Sequence, residues 1–124
     1  HLVRVILPAL AKDTIVLCDR FTDSSFAYQC AGRGLSREKL QLLNENFVSK
    51  MPDITFWLDA PIELGMNRAR ERGALDRFEQ EKVVFFESVR SGFAEIHVRE
   101  PERMKRLDAT QTPEIVFAEA LSYL

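Results

Sequence analysis

The sequence predicts a three-layer α/β fold built on a parallel sheet, and three observations carry that prediction. Short apolar runs alternate with helical patterns along the chain. The runs, at 14–18, 54–58 and 104–107, are bounded by turn residues and are short enough for strands. Each is followed or closed by an aspartate, Asp19, Asp59 and Asp108, which predicts three carboxylates on one edge of the sheet. In open α/β sheets the loops beyond the strands' carboxyl ends are where ligands bind.

Composition sets the bounds. A chain of 124 residues with 46% hydrophobic and 29% charged content is one globular domain with a modest core, not a disordered segment. The net charge of −2 excludes a bulk polycation, so a nucleic-acid role is not expected and anion binding must come from local arginines. No apolar run approaches the ~20 residues that span a bilayer, so no membrane partner is expected. Two cysteines, with Cys18 in an expected buried strand, read as a reduced intracellular chain and hence a cytoplasmic one. His1 opens directly into a helical pattern without a Met, and residue 1 is expected to lie inside a longer natural chain.

The elements follow in order. Residues 1–10 read as the last turns of a helix, with Pro8 requiring a kink or an irregular final turn. Lys12-Asp13 is a turn, and 14–18 is the first strand. A short helix over 24–29 carries Phe26, Ala27 and Tyr28, followed by a flexible Gly32-Arg33-Gly34 loop. Ser36 is a good N-cap for a helix over 37–50, whose stripe is Leu40, Leu43 and Phe47 with Leu42 at its edge. Pro52-Asp53 breaks it before the second strand. Pro61 and Glu63 open the next helix, which carries Arg68, Arg70 and Arg72 and stops at Gly73. A long helix over 78–98 has Phe86, Val89, Phe93 and Ile96 as its core positions, and His97 reads as a surface residue rather than a catalyst. The third strand ends in Asp108, and Thr112 caps a final helix from Pro113.

Two clusters could carry chemistry. Asp19 and Arg20 stand together after a strand, as an ion pair at a strand end or as a site for an anionic ligand with a metal. Arg grips phosphate through paired N–H donors, and Asp can hold Mg²⁺ or its water. Arg68, Arg70, Arg72 and Arg77 lie among Glu71, Asp76 and Glu79. They form either a salt-bridged helix end or a clamp for phosphate.

In combination these segments resemble the thymidylate kinase family over essentially the whole chain. Asp19-Arg20-Phe21 with Ser24-Ser25, Ala27-Tyr28-Gln29 and Gly32-Arg33-Gly34-Leu35 is similar to the family's acceptor segment. Arg68-Ala69-Arg70-Glu71-Arg72-Gly73 followed by Leu75-Asp76-Arg77-Phe78-Glu79 resembles the arginine-bearing lid of its bacterial type, at about 68–79. Leu107-Asp108-Ala109-Thr110 resembles its last strand and adenine-side loop. Cys30-Ala31 stands where relatives often carry two glycines, and Phe21 where a Tyr or His is common.

The resemblance implies a P-loop NTPase-like, nucleoside monophosphate kinase-like domain that transfers phosphoryl from ATP to dTMP with Mg²⁺, as a homodimer. It implies Arg20 on the acceptor phosphate, and Asp19 near Mg²⁺ or its waters. It puts Ser25 and Gln29 by the thymine, Tyr28 against the deoxyribose and Glu79 near the sugar. Arg72 becomes the leading lid arginine, supported by Arg68 and Arg77, with Asp108 and Ala109 on the ATP side. Arg33 faces phosphate or is structural. It also implies an incomplete domain over 1–124: the chain supplies the family's strands 3, 4 and 5, and the first strand would lie between 15–18 and 54–58. No Gly-x-x-x-x-Gly-Lys-Ser/Thr occurs in the sequence, so the chain alone is expected to be inactive. Another nucleoside monophosphate kinase, or a non-catalytic nucleotide-binding or dimerisation fragment, are the alternatives.

Overall fold

A computed structural model of the chain describes residues 1–71 and 80–124. The sheet has two strands, β1 (Thr55–Asp59) and β2 (Met104–Asp108). They pair in parallel, with Thr55 opposite Met104 and Asp59 opposite Asp108. Strand alternation sends Trp57 and Asp59 to one face, and Phe56 to the other. On the first face Trp57 stacks on Phe93 at 6.1 Å between ring centroids. On the second, Phe56 meets Tyr123 at 6.3 Å.

Helices cover both faces, giving the three layers. The first face takes α5 (Gln80–Arg99), with α2 (Thr22–Ser25) packed on it and running on as π-type turns over Phe26–Ala31. The second takes α6 (Pro113–Leu121). Between β1 and α5 lies α4 (Ile62–Glu71). The core is centred on Trp57, Ile96 and Met104, with Phe26, Phe93 and Ala94 against it. The contact of α5 with the π-type turns over Phe26–Ala31 is close because Gly92 has no side chain: a Cβ there would lie 2.8 Å from the Ala31 Cβ and 3.0 Å from the Ala27 Cα.

Local chemistry explains the boundaries. Ser36 caps α3 (Arg37–Phe47), its hydroxyl accepting from the Lys39 amide at 3.3 Å. Pro8 sits in the first turn of α1 (Leu7–Leu10), after π-type turns over Leu2–Ile6, so its missing N–H falls where the helix is already irregular. Cys30 and Ala31 remain helical, and the turn starts only at Gly32. Gly34 takes φ +71°, a conformation that favours glycine.

Three expectations are corrected. Residues 14–18 form no strand, and Cys18 is exposed. Ile15 and Leu17 are 86% and 90% exposed. A strand exists only through a hydrogen-bonded neighbour, and this apolar run has none among the described residues. The sheet therefore shows two of the three expected strands, with carboxylates at two strand ends rather than three. On α3 only Leu40 is buried; Leu43 and Phe47 face outward at 52% and 76% exposure. His97 is half-buried, its Nδ1 2.8 Å from the Met104 carbonyl, and joins the end of α5 to β2.

Candidate functional site

The loop after residue 18 brings Arg20 over Tyr28. Arg20 adopts φ +63°, in the left-handed region where a non-glycine residue is uncommon. Its guanidinium carbon lies 4.8 Å from the Tyr28 ring centroid, within cation–π range. Tyr28 is held in turn by α5, edge-on to Phe85 at 6.0 Å and to Phe93 at 6.4 Å. Asp19 and Ser25 are exposed. Gln29 accepts a hydrogen bond from Arg33 Nη1 at 3.0 Å, and the Arg33 guanidinium also lies over Phe85 at 5.8 Å. Arg33 thus supports the helix and its aromatic neighbour. Arg20 with Tyr28, and Arg33 with Gln29, are two contacting pairs, and Phe85 meets both Tyr28 and Arg33.

A second group forms where β2 ends. Arg68 Nη1 donates to the Ala109 carbonyl at 2.7 Å, so α4 reaches the loop after β2. Asp108 accepts from the Thr110 amide at 2.9 Å, its hydroxyl at 2.6 Å and Gln111 Nε2 at 3.1 Å. The Thr110 hydroxyl, with Gln111 and the Thr110 amide, pulls the Asp108 carboxyl down to about 2. Asp108 is committed to shaping its own loop. Arg72, Arg77 and Glu79 lie outside the described residues.

A third group joins Asp59, one of the expected strand-end carboxylates, to two arginines to which the sequence reading gave no role. The Asp59 side chain is 2% exposed at the end of β1. It accepts from Arg90 Nε at 2.6 Å and Nη2 at 3.0 Å, and from Arg106 Nε at 2.8 Å. The bond from Arg90 is the largest influence holding its carboxyl below the ordinary aspartate value; burial pushes the other way, and Arg106 adds to the lowering. The sequence did carry a signal for this. Arg90 falls four residues after Phe86 and three before Phe93, on the apolar stripe of its helix, where an arginine implies a buried counter-charge. Arg106 likewise alternates with Met104 and shares its face.

A parallel, helix-covered sheet with arginines gathered where its strands end is an α/β arrangement of the kind that P-loop kinases share with other nucleotide-binding folds. Comparison with known proteins narrows this further. The family model described as thymidylate kinase matches residues 1–120. The chain belongs to the thymidylate kinase family. It is 73% identical over 124 residues to the thymidylate kinase of Acinetobacter baumannii (strain SDF), and 50% identical over 117 residues to that of Pseudomonas putida (strain W619). Those matches take in 100% and 94% of this chain but 62% and 56% of the relatives. The solved thymidylate kinase of Ehrlichia chaffeensis superposes with a TM-score of 0.75 at 30% identity, over 98% of this chain and 56% of that one. The chain thus spans about three-fifths of the length of these curated relatives. Among the described residues, no helix is long and apolar enough to cross a membrane.

Proposed function

We propose that this chain supplies the acceptor half of a dTMP kinase, which transfers the γ-phosphoryl group of ATP to the 5′-phosphate of dTMP and yields dTDP and ADP. The observation that carries this reading is the Arg20–Tyr28 pair, a guanidinium at 4.8 Å from an aromatic ring at the end of an apolar segment. The ring restrains the long arginine side chain without neutralising it, leaving its N–H fork for phosphate oxygens. Tyr28 offers a flat surface to the deoxyribose, and Ser25 and Gln29 offer hydrogen-bonding groups to the thymine. Phosphoryl transfer depends on alignment and on neutralising charge spread over the equatorial oxygens. Arg20 serves on the acceptor side. Arg72, with Arg68 and Arg77, serves on the transferring group, Glu79 lies toward the sugar, and Asp108 and Ala109 bound the ATP side.

Mg²⁺ uses one or two carboxylates and completes its shell with water and nucleotide phosphates. No cluster of three His, Cys, Asp or Glu side chains is present among the described residues, and Asp19 is a single exposed carboxylate. That donor set fits the ion held through water beside phosphates. Mg²⁺ would supply charge neutralisation there, with Asp19 as its protein anchor.

The exposed apolar residues Val3, Val5, Leu43 and Phe47 support pairing with a second copy. The family's place in nucleotide synthesis supports a cytoplasmic location. With no Gly-x-x-x-x-Gly-Lys-Ser/Thr in its sequence, the chain alone is expected not to turn over. The test is coupled ADP release by a protein of the relatives' length carrying these residues, given dTMP, dUMP, dCMP or dGMP. Turnover is expected to favour dTMP by at least about tenfold. Equal turnover of all four would contradict the thymine assignment.

A further inference from the structure

The carboxylate of Asp59 touches none of the residues assigned to the nucleotide, yet it is bound to the element that shapes their surroundings. Its principal partner, Arg90, is gripped through two nitrogens and belongs to α5. The same helix carries Phe85 and Phe93, the two rings that meet Tyr28 edge-on. Val89, beside Arg90, is buried. A Cβ on Gly32, at the end of the Tyr28 helix, would lie 2.9 Å from the Val89 side chain and 2.6 Å from that of Phe85. Only a glycine fits at this approach, and packing without room for a Cβ passes a displacement of α5 to the Tyr28 segment. An open cleft of about 140 Å³, lined among others by Asp59, Arg90, Tyr28 and Phe93, borders α5 beside this grip.

We propose that Asp59 is a positioning residue for Tyr28: through Arg90 it fixes the part of α5 whose Phe85 and Phe93 hold the Tyr28 ring beneath Arg20. The use of this linkage in acceptor binding rests on the dTMP kinase reading; the linkage itself does not. Arg106 also binds Asp59, but its guanidinium lies over Trp57 at 5.7 Å and not over Tyr28. Loss of Arg90 therefore leaves Asp59 paired with Arg106 and the core contacts of α5 in place, while releasing α5 at that one point.

Tyr28 and Tyr123 are the chain's two tyrosines, and Tyr123 lies beyond α6 against Phe56, which makes it an internal reference. The experiment is NMR of the full 124-residue chain, ring-labelled at tyrosine, in the unmodified protein and in Arg90→Gln and Asp59→Asn. Both variants are expected to shift the Tyr28 ring resonances beyond their line width and leave those of Tyr123 in place. If Asp59→Asn fails to fold, Arg90→Gln carries the test. Tyr28 resonances unmoved in a folded variant, or Tyr123 moving equally as in general loosening, would overturn the proposal. In a protein of the relatives' length, Arg90→Gln is expected to raise KM for dTMP about fivefold and leave KM for ATP unchanged. A shifted Tyr28 with an unmoved KM for dTMP would uphold the linkage and overturn the acceptor reading instead.

Discussion

Arg103 closes a fork on Asp23 from eighty residues away, its Nη2 2.7 Å from one carboxylate oxygen and its Nη1 2.8 Å from the other. Thr55 donates to Asp23 at 3.0 Å and accepts from Arg103 at 3.1 Å, and Arg103 Nε donates to Glu100 at 2.6 Å. The bonds it donates to Asp23, and then to Glu100, hold the guanidinium firmly protonated. Asp23 lies in the first turn of α2, where a carboxylate also complements the helix dipole. One ion pair thus joins the start of the Tyr28 helix to β1 and to the turn before β2.

Both members are largely buried, with side chains 8% and 15% exposed. Removing one leaves an unpaired buried charge. Arg103→Met is therefore expected to lower unfolding stability by about 3–5 kcal/mol in chemical denaturation. Adding Asp23→Leu to it should recover a large part of the loss. A double variant that loses the sum of both single losses would contradict this reading.

Asp59 makes stability depend on acid. Its folded carboxyl lies below the ordinary aspartate value, so its contribution is present above the unfolded pKa of about 4 and is lost as pH falls through the lowered folded value. Denaturation midpoints followed from pH 6 down to about pH 2 should fall less steeply in Asp59→Asn than in the unmodified chain. Parallel curves would contradict the assignment.

The two thiols should separate in rate. Cys18 is exposed, whereas Cys30 is buried beneath the turn before α3, its thiol 3.9 Å from the Ser36 carbonyl. Burial is the largest influence on Cys30 and raises its pKa. A thiol reagent at neutral pH should modify one cysteine quickly, identified as Cys18 by peptide mapping, and reach Cys30 only as the fold opens. Equal rates would contradict the burial of Cys30.

What the sequence made legible followed from local rules. Ser36 announced its helix because a hydroxyl caps exposed amides wherever it precedes a helical run. Residues 54–58 and 104–107 announced strands, and the two pair in parallel. The run at 14–18 was equally apolar, but a sequence pattern cannot state whether a strand has a neighbour, and Ile15 and Leu17 remain exposed. Leu43 and Phe47 hold helical spacing, yet both remain largely exposed. Arg20, Tyr28 and Gln29 stand out in the sequence as a candidate set because they are close in the chain, and the structure puts Arg20 over Tyr28. The Asp59–Arg90 and Asp23–Arg103 pairs were not, because their partners are separated by 31 and 80 residues and only the fold brings them together.

The acceptor assignment rests most directly on Arg20. Steady-state kinetics of a protein of the relatives' length, with Arg20 and with Arg20→Met, measures its share of transition-state stabilisation. Loss of the guanidinium from the acceptor phosphate is expected to lower kcat/KM for dTMP by about a thousandfold, with binding of ATP unchanged. A variant that keeps kcat/KM within about threefold would contradict the account, because the energy of the missing contact would then be absent from the transition state.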